Sequence, residues 1–312
     1  MPMSEPLVSV IIPTQRRPVG LRAAVLSTFA QIGVDFARVE LVVADNDQAP
    51  SAQALVKDMS KSAPFPLIYV HAAEPGVANA RNAAMAKAAG AFIAFLDDDE
   101  EAPPGWLAAL LSVQARFNAD AVFGPVRGRV PASITRHRAY LEGFFSRLGP
   151  AECGIITEYH GCGDSLIRRA ALPNADQPFS AARNHTGGED DLLFGQMKQA
   201  GARFAWAPEA WVWEDPQPER LNLAYTIRRA FAYGQGPSSA CAAQTPPDRV
   251  GVVRWMMIGI AQTVVFGLSA GVQRLIGSPN YAAYLDRAAR GLGKIFWWGP
   301  FKIAFYGRTA SA

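Results

Sequence analysis

The first 126 residues alternate between short apolar, β-branched runs and longer segments with the apolar spacing of helices. Residues 7–13 read LVSVIIP, and residues 91–96 read AFIAFL. Such runs are typical of strands buried on both faces, and strands alternating with helices of this length indicate βαβ units. We therefore predict an α/β fold with a mostly parallel sheet. The predicted strands are 7–13, 39–44, 66–71, 91–96 and 121–126, and the predicted helices are 19–31, 50–59, 77–89 and 103–116.

Polar residues follow three of these strands, at the edge where parallel α/β sheets bind their ligands. PTQRR follows the first strand, DND the second and DDDE the fourth. Within DDDE, Asp97 and Asp99 can point to one side, because alternate residues of an extended segment do. Clustered carboxylates provide oxygen ligands for Mg²⁺ or Mn²⁺. A divalent ion held in this way typically bridges the phosphates of a substrate. A run of charged residues is more often only part of the solvated surface. The position of DDDE directly after an apolar strand favours a ligand-binding site instead.

Composition and charge narrow the function classes. Half of the residues are hydrophobic and 18% are charged, which excludes a disordered chain. The three cysteines lack C-x-x-C spacing, which favours a reducing compartment over a disulfide scaffold or zinc module. Residues 221–312 contain ten Lys or Arg but two Asp or Glu, whereas the rest of the chain is net acidic. We therefore expect a membrane surface, and no nucleic acid, as a partner.

Five motifs carry a family resemblance: VSVIIPTQRR, VVADND, GVANARNAAM, FLDDDE and GGEDDLLF, in this order within residues 7–235. Together they resemble the family 2 inverting glycosyltransferases of the A-type (GT-A) fold, particularly bacterial exopolysaccharide members such as the succinoglycan glucosyltransferases. The resemblance implies a nucleotide-binding sheet with helices on both faces. It also implies an enzyme that uses Mg²⁺ or Mn²⁺ to transfer a sugar from a UDP-sugar to a glycan, which we expect to be linked to polyprenyl diphosphate.

The same resemblance implies roles for residues on the donor side. Asp45 matches the carboxylate that reads uracil, with a simple turn residue as the alternative. Arg81 matches the arginine near the diphosphate, with a surface helix arginine as the alternative. In the acidic run, Asp97 is expected toward the ribose and Asp99 toward the metal. The remaining donor-binding residues are Pro13, Thr14, Arg16 (or Arg17) and Asp98.

On the acceptor side, the GGEDD motif makes Asp190 the general base that takes a proton from the attacking hydroxyl. Glu189 is expected to orient the site or touch the acceptor, and Asp191 is the competing base. Acidic residues at a helix N-terminus also stabilise the helix dipole, which is the alternative explanation for all three. Gly163 and Asp164 match the acceptor loop, although family members usually have Asn at the second position.

Glu214 stands where many family members have a metal-binding His, and a carboxylate can also bind Mg²⁺ or Mn²⁺. Two other functions stay open. A sugar nucleotidyltransferase would need a glycine-rich basic loop after the first strand, which PTQRR is not. A catalytically weak, membrane-tethered partner subunit would not need Asp97, Asp99 and Asp190 together.

The C-terminal part is expected to associate with a membrane. Between Arg254 and Arg274 lie 19 residues without charge, close to the ~20 that span a bilayer. Residues 294–306 are rich in aromatics beside lysines, which suits the membrane interface. We expect a tail in the inner leaflet at the cytoplasmic face of the bacterial inner membrane. A spanning helix and a helical hairpin packed on the protein are the alternatives.

We therefore predict three parts of the chain. The glycosyltransferase domain comes first, with a nucleotide-sugar half and an acceptor half. A short linker then leads to the tail. The bounds are 1–127 and 128–235 for the two halves, 236–249 for the linker and 250–312 for the helical tail.

Overall fold

The structure is a computed structural model that describes residues 7–184 and 187–303. The chain divides into two compact units. The described part of the first comprises residues 7–127, 146–184 and 187–215, and that of the second comprises 128–145 and 216–303. These units do not coincide with the functional parts expected from the sequence, whose bounds stay predictions.

Strands belong to two sheets, one of eight strands and one of three. In chain order they are β1 (Val8–Thr14), β2 (Val39–Asp45), β3 (Leu67–His71), β4 (Phe92–Phe95), β5 (Glu100–Glu101), β6 (Ala121–Phe123), β7 (Val126–Gly128), β8 (Gly154–Ile156), β9 (Ser165–Arg168), β10 (Phe204–Trp206) and β11 (Val212–Glu214).

The large sheet has the strand order β3-β2-β1-β4-β9-β6-β10-β8. β1 pairs in parallel with β2 and with β4, and β2 pairs in parallel with β3. β9 runs antiparallel between β4 and β6. The residues that follow β1, β2 and β4 therefore lie at one edge of the sheet, as expected for an α/β fold. The small sheet has the order β5-β11-β7.

Helices cover both faces of the large sheet, which explains why its strands are apolar on both sides. Val10 of β1 belongs to a buried cluster with Leu21, while the neighbouring Ile11 belongs to the opposite cluster with Met85 and Phe194. The α/β prediction is confirmed. The helices are α1 (Pro18–Phe29), α2 (Gln53–Met59), α3 (Val77–Met85), α4 (Trp106–Phe117), α5 (Arg138–Phe145), α6 (Glu189–Gln199), α7 (Leu223–Ala242), α8 (Arg249–Leu275) and α9 (Tyr281–Ile295).

The strand predicted over 121–126 is divided between the two sheets. Pro125 has no N–H and cannot continue a strand ladder. The N–H of Gly124 donates instead to the carbonyl oxygen of Asp164 at 3.1 Å, and the carbonyl oxygen of Pro125 accepts from Val212 at 2.9 Å. The chain thus leaves the large sheet after β6 and joins the small sheet as β7.

The second unit contains α5, α7, α8 and α9. The α8–α9 pair is an antiparallel hairpin, and α9 also packs against α7. Glycines permit the close approach: a β-carbon added to Gly259 of α8 would lie 2.6 Å from the carbonyl oxygen of Gly291 of α9. Two of the interpretations of the tail, a packed hairpin and a membrane-associated segment, are therefore not exclusive.

Part of the predicted linker is helical, because α7 continues to Ala242 and includes Pro237. Tertiary hydrogen bonds hold this stretch in place. The side-chain amide of Gln235 donates to the carbonyl oxygen of Phe296 at 2.7 Å, and the hydroxyl of Ser238 donates to that of Lys294 at 2.8 Å. Such contacts outweigh the low helix propensity of a Pro- and Gly-containing segment.

Among the described residues, α8 is the one helix long and apolar enough to cross a membrane by length and composition. Only 11% of its most apolar 18-residue window is buried. The aromatic segment expected over 294–306 is described as far as residue 303, and the rest of it lies outside the described residues.

Candidate active site

The acidic run after β4 is held by the loop after β1. The hydroxyl of Thr14 donates to Asp98 at 2.7 Å. The guanidinium of Arg17 donates to Asp98 at 2.8 Å and to Asp99 at 2.7 Å. Burial raises the pKa of Asp98 to about 6, although Arg17 opposes the shift. Asp98 therefore links the loop after β1 to the loop after β4 through hydrogen bonds. Arg17 is the basic residue of PTQRR that contacts the acidic run.

Two other residues of the first loop lie elsewhere. Pro13 is buried within β1, in register with Ala44 of β2. The side chain of Arg16 is 69% exposed and donates two hydrogen bonds to Asp47, at 2.7 and 2.9 Å. These hydrogen bonds lower the pKa of Asp47 to about 2. The paired, exposed Arg16 thus serves the loop after β2 in this structure.

Asp45 is fully buried at the end of β2. One carboxylate oxygen accepts from the N–H of Ala52 at 2.7 Å and from the hydroxyl of Tyr69 at 2.9 Å. The other accepts from the N–H of Asp47 at 3.2 Å and from the hydroxyl of Ser51 at 3.3 Å. A carboxylate offers about four acceptor positions. The protein uses all of them, which favours a structural role for Asp45 over the expected contact with uracil.

Arg81 of α3 joins the acidic run to the start of α6. Its side chain is only 6% exposed, and it pairs with Glu189 at 2.6 Å and with Asp97 at 3.4 Å. The guanidinium carbon also lies 5.5 Å from the ring centroid of Phe179. A buried cation is tolerated when it is paired, so these contacts explain its position. The alternative of a surface helix arginine is wrong.

The first turn of α6 carries the three acidic residues of the GGEDD motif. Asp190 accepts hydrogen bonds from the N–H of Cys162 at 3.3 Å and from the N–H of Asp191 at 2.9 Å. Glu189 is buried, and burial raises its pKa although Arg81 opposes the shift. Asp190 is half-buried and Asp191 is exposed. Of the two candidates for the base, Asp190 is the one held beside the loop that contains Cys162.

Gly163 in that loop lies directly against the acidic run. A β-carbon at this position would lie 2.6 Å from a carboxylate oxygen of Asp97 and 2.8 Å from one of Glu100. Only glycine allows the backbone to approach so closely. The loop after β8 therefore lies between the acidic run and Asp190, as expected for a shared site.

Asp164, the next residue, is fully buried and has a left-handed backbone with φ of 54°. One carboxylate oxygen accepts from the indole N–H of Trp106 at 2.7 Å, and the other has no hydrogen-bond partner among the described residues. Burial raises the pKa of Asp164 to about 7. Because this carboxyl group lies inside the protein, the geometry favours a structural role over the expected contact with an acceptor.

Arg147 is a site residue that sequence reasoning missed. Its backbone forms two hydrogen bonds with Val126, at 2.8 and 3.0 Å, and its guanidinium donates to the carbonyl oxygen of Gly163. Arg147 thus braces the loop that separates the acidic run from Asp190. It belongs to no motif, so the sequence contains no signal that could have identified it.

The sequence profile described as "Glycosyl transferase family 2" matches residues 9–174. The match covers more than half of the chain, from β1 through the acidic run to the loop containing Gly163. The chain belongs to glycosyl transferase family 2. It is therefore a glycosyltransferase, as the motifs predicted.

Related proteins and a solved structure agree with this assignment. Succinoglycan biosynthesis protein ExoM of Rhizobium meliloti (strain 1021) is 36% identical over 236 residues, which cover 75% of each chain. The Escherichia coli UDP-Glc:alpha-D-GlcNAc-diphosphoundecaprenol beta-1,3-glucosyltransferase WfgD is 35% identical over 112 residues, 36% of this chain and 41% of its own. The mannosyltransferase PcManGT from Pyrobaculum calidifontis, in complex with GDP-Man and Mn²⁺, superposes with a TM-score of 0.60 at 20% identity, covering 95% of this chain and 88% of its own. This last likeness confirms the GT-A fold.

The carboxylate oxygens of this family 2 site are of the type that binds a divalent cation together with the phosphates of a substrate. The residues that the structure describes contain no group of three or more His, Cys, Asp or Glu placed to hold a metal. However, Mg²⁺ is commonly bound by one or two carboxylates plus substrate phosphates. Glu214 lies opposite Glu100 in the β11–β5 pair, and the N–H of Asp215 donates to the carbonyl oxygen of Asp99 at 2.8 Å. These backbone contacts place the acidic run beside β11, and Asp99 and Glu214 remain the predicted ligands of such a cation.

Proposed function

We propose that this family 2 enzyme is a metal-dependent inverting glycosyltransferase. It moves a sugar from a UDP-sugar to a hydroxyl of a polyprenyl-diphosphate-linked glycan, in exopolysaccharide or cell-surface polysaccharide synthesis at the cytoplasmic face of the inner membrane. The observation that carries the proposal is the chain of ion pairs from Asp97 through the buried Arg81 to Glu189, which holds the acidic run beside the helix turn of Asp190.

Two relatives support the substrate classes. ExoM is named for succinoglycan biosynthesis. The name of WfgD specifies UDP-Glc as its donor and a diphosphoundecaprenol-linked GlcNAc as its acceptor. A UDP-sugar donor and a lipid-linked acceptor are thus the expected substrates here as well.

Asp190 is the general base in this mechanism. Inversion needs an acceptor hydroxyl that loses its proton as it attacks the anomeric carbon, and one carboxylate in hydrogen-bond reach can accept that proton. Among the described residues two N–H groups donate to Asp190, so its oxygens retain acceptor positions for a substrate hydroxyl. Both donors are backbone groups, which fix the carboxylate without neutralising its charge.

The acidic run helps to stabilise the nucleoside diphosphate as it leaves. Asp99 and Glu214 would hold Mg²⁺ or Mn²⁺, which when bound neutralises the charge that develops on the diphosphate. Arg17 fixes the carboxylate of Asp99, and Thr14 fixes the neighbouring Asp98. With a cation to stabilise the leaving group, the site would need no second carboxylate as a general acid.

The test is a screen of UDP-sugars with the full chain, Mn²⁺ or Mg²⁺, and an undecaprenyl-diphosphate-linked saccharide. UDP release and product formation should require both a divalent cation and the acceptor, and the new linkage should have the anomeric configuration opposite to that of the donor. Undiminished turnover in EDTA would contradict the metal requirement. Transfer from another nucleotide sugar but from no UDP-sugar would contradict the donor assignment, and a retained configuration would contradict inversion.

A further inference from the structure

Helix α8 has a continuous apolar stripe on its exposed face. Its six large side chains are three or four residues apart, so they lie on one side of the helix. They are between 45% and 70% exposed, and the stripe extends for about 30 Å at 1.5 Å per residue. The stripe consists of Val253, Met257, Ile260, Val264, Leu268 and Val272.

Charges on the same helix indicate what covers this stripe. The helix contains Arg249, Arg254 and Arg274 and no Asp or Glu, so its cations lie at the two ends of the apolar stretch. All three arginines are exposed. Beyond α9, the exposed side chains include Trp298 and Phe301. Terminal cations, nearby aromatics and an apolar face match the boundary between headgroups and acyl chains of an anionic bilayer.

The opposite side of α8 fixes its orientation. Gly259 is packed against Gly291 of α9, and the hydroxyl of Thr263 lies 3.4 Å from the carbonyl oxygen of Ala288. α9 carries the Asp286–Arg290 ion pair, at 2.7 Å.

A spanning α8 would draw these charges, and the exposed Arg287, into the hydrocarbon layer, which is costly. A helix lying in the membrane plane keeps α9 on the aqueous side and inserts only the stripe. The packing therefore favours an in-plane helix over a spanning one.

We propose that α8 lies in the membrane plane, with this stripe inserted at the headgroup–acyl boundary of an anionic phospholipid bilayer. The proposal deepens the proposed function, because an enzyme held at the surface meets a lipid-linked acceptor at high local concentration. It assigns the membrane contact to one face of one helix. It also specifies that residues 276–280, between α8 and α9, stay on the same side of the membrane as the rest of the protein.

Vesicle binding tests the surface. The full chain should sediment with phosphatidylcholine–phosphatidylglycerol vesicles and bind pure phosphatidylcholine more weakly. The double variant Val264→Asp/Leu268→Asp should bind the anionic vesicles at least tenfold more weakly. Ile32→Asp changes an apolar residue outside α8 that is 63% exposed, and it should bind like the wild type. Wild-type protein that stays in the supernatant, or a double variant that binds normally, would overturn the proposal, as would a dimer that buries the stripe.

Labelling of intact cells tests the orientation. Asn280→Cys places a thiol in the exposed turn after α8, in a chain whose Cys153 and Cys241 are replaced by Ser. A membrane-impermeant maleimide should label it only after spheroplasts are lysed, whereas labelling of intact spheroplasts would show a spanning helix. UDP binding by the wild type and by the double variant separates this proposal from the enzymatic one. Loss of UDP binding in both would contradict the donor assignment and leave the vesicle result valid.

Discussion

The carboxylates that follow β2 and those that follow β4 lie at the same edge of one sheet, and the sequence predicts substrate contacts for both. At the end of β2, Asp45 is fully buried and accepts four hydrogen bonds from the loop that follows and from β3. After β4, the side chain of Asp97 is 35% exposed and pairs with Arg81 at 3.4 Å. The carboxylate of Asp45 is thus fully occupied by hydrogen bonds within the protein, whereas that of Asp97 remains partly accessible to solvent.

A position at a strand end is therefore not sufficient evidence for a chemical role. A carboxylate that is already saturated with donors holds a loop together, since its remaining capacity for a ligand is small. A carboxylate with unused acceptor positions and partial exposure can still meet a substrate. By this criterion we expect Asp97 and Asp190 to face substrates, and Asp99 keeps its predicted role toward the metal. The contacts of Asp45 and Asp164 favour structural roles instead.

The largest effect is expected for Asp99→Ala. Turnover should be abolished, and UDP should bind more weakly in Mn²⁺ or Mg²⁺, because a diphosphate without its cation retains uncompensated charge. The matched control is Asp47→Ala, which removes a carboxylate after β2 that pairs with the exposed Arg16. Its kcat should stay close to that of the wild type, because this pair lies in the loops after β1 and β2 and not in the acidic run. Full activity of the Asp99 variant would show that the two strand ends do not differ in this way.

The next effect is expected for Asp190→Asn, which keeps the shape of the side chain but cannot accept a proton. Losing a positioned base typically lowers kcat by about 10²–10⁴-fold. Affinity for the UDP-sugar, measured by calorimetry, should be nearly unchanged, because the residue serves the acceptor. Asp191→Asn, one residue along the same helix turn, should retain most of its activity. The reverse result would assign the base to Asp191.

Much of the first unit could be predicted from the sequence. Buried parallel strands must be apolar on both faces, so β1, β2 and β4 appear as largely apolar runs, and the half-buried edge strand β3 is mostly apolar too. The acidic run was also identifiable, because it directly follows an apolar strand, and the GGEDD motif was identified by its family resemblance. In contrast, the two-residue strand β5 and the three-residue strands β7 and β11 are too short to produce a periodic pattern.

What the sequence could not predict is which polar side chains satisfy one another. Thr14 and Asp98 are 84 residues apart, and Arg81 and Glu189 are 108 apart. No local pattern encodes a contact at such separations. The sequence therefore left two interpretations of Arg81, a residue near the diphosphate and an arginine on the surface of a helix. Whether a carboxylate such as Asp45 is already saturated also depends entirely on these tertiary contacts.

A smaller effect, on stability rather than on catalysis, is expected for Asp45→Asn. The amide would place N–H groups against donors such as Ala52 N–H, and a buried donor left without a partner costs about 1–3 kcal/mol. Denaturant unfolding should show a loss of this size, while UDP affinity stays within about threefold. The exposed Asp58→Asn should change the free energy of unfolding by less than about 0.5 kcal/mol. A large loss of UDP affinity at unchanged stability would restore the uracil contact.

The smallest and most specific effect concerns the pH dependence that Asp164 adds to stability. Burial raises its pKa from 3.8 to about 7, so the folded protein binds this proton more tightly than the unfolded chain does. The resulting stability is complete below about pH 4 and is lost as the pH rises through 7. Asp164→Asn cannot ionise, accepts the same indole hydrogen bond and tolerates the left-handed backbone.

The free energy of unfolding of the wild type should therefore decrease more steeply between pH 5 and pH 8 than that of the variant, by on the order of 1–3 kcal/mol. Denaturant titrations at four pH values across this range would measure the two slopes. Asp98, whose pKa burial also raises, remains in both proteins, and Asp164 is not among the groups that shift it. The charge of Asp164 helps to raise the pKa of Glu100, so the substitution removes this contribution as well. The difference between the slopes thus reports the titration of Asp164 together with its effect on Glu100. Equal slopes would mean that water reaches the carboxyl group of Asp164. Asp164 would then be an accessible carboxylate like Asp97.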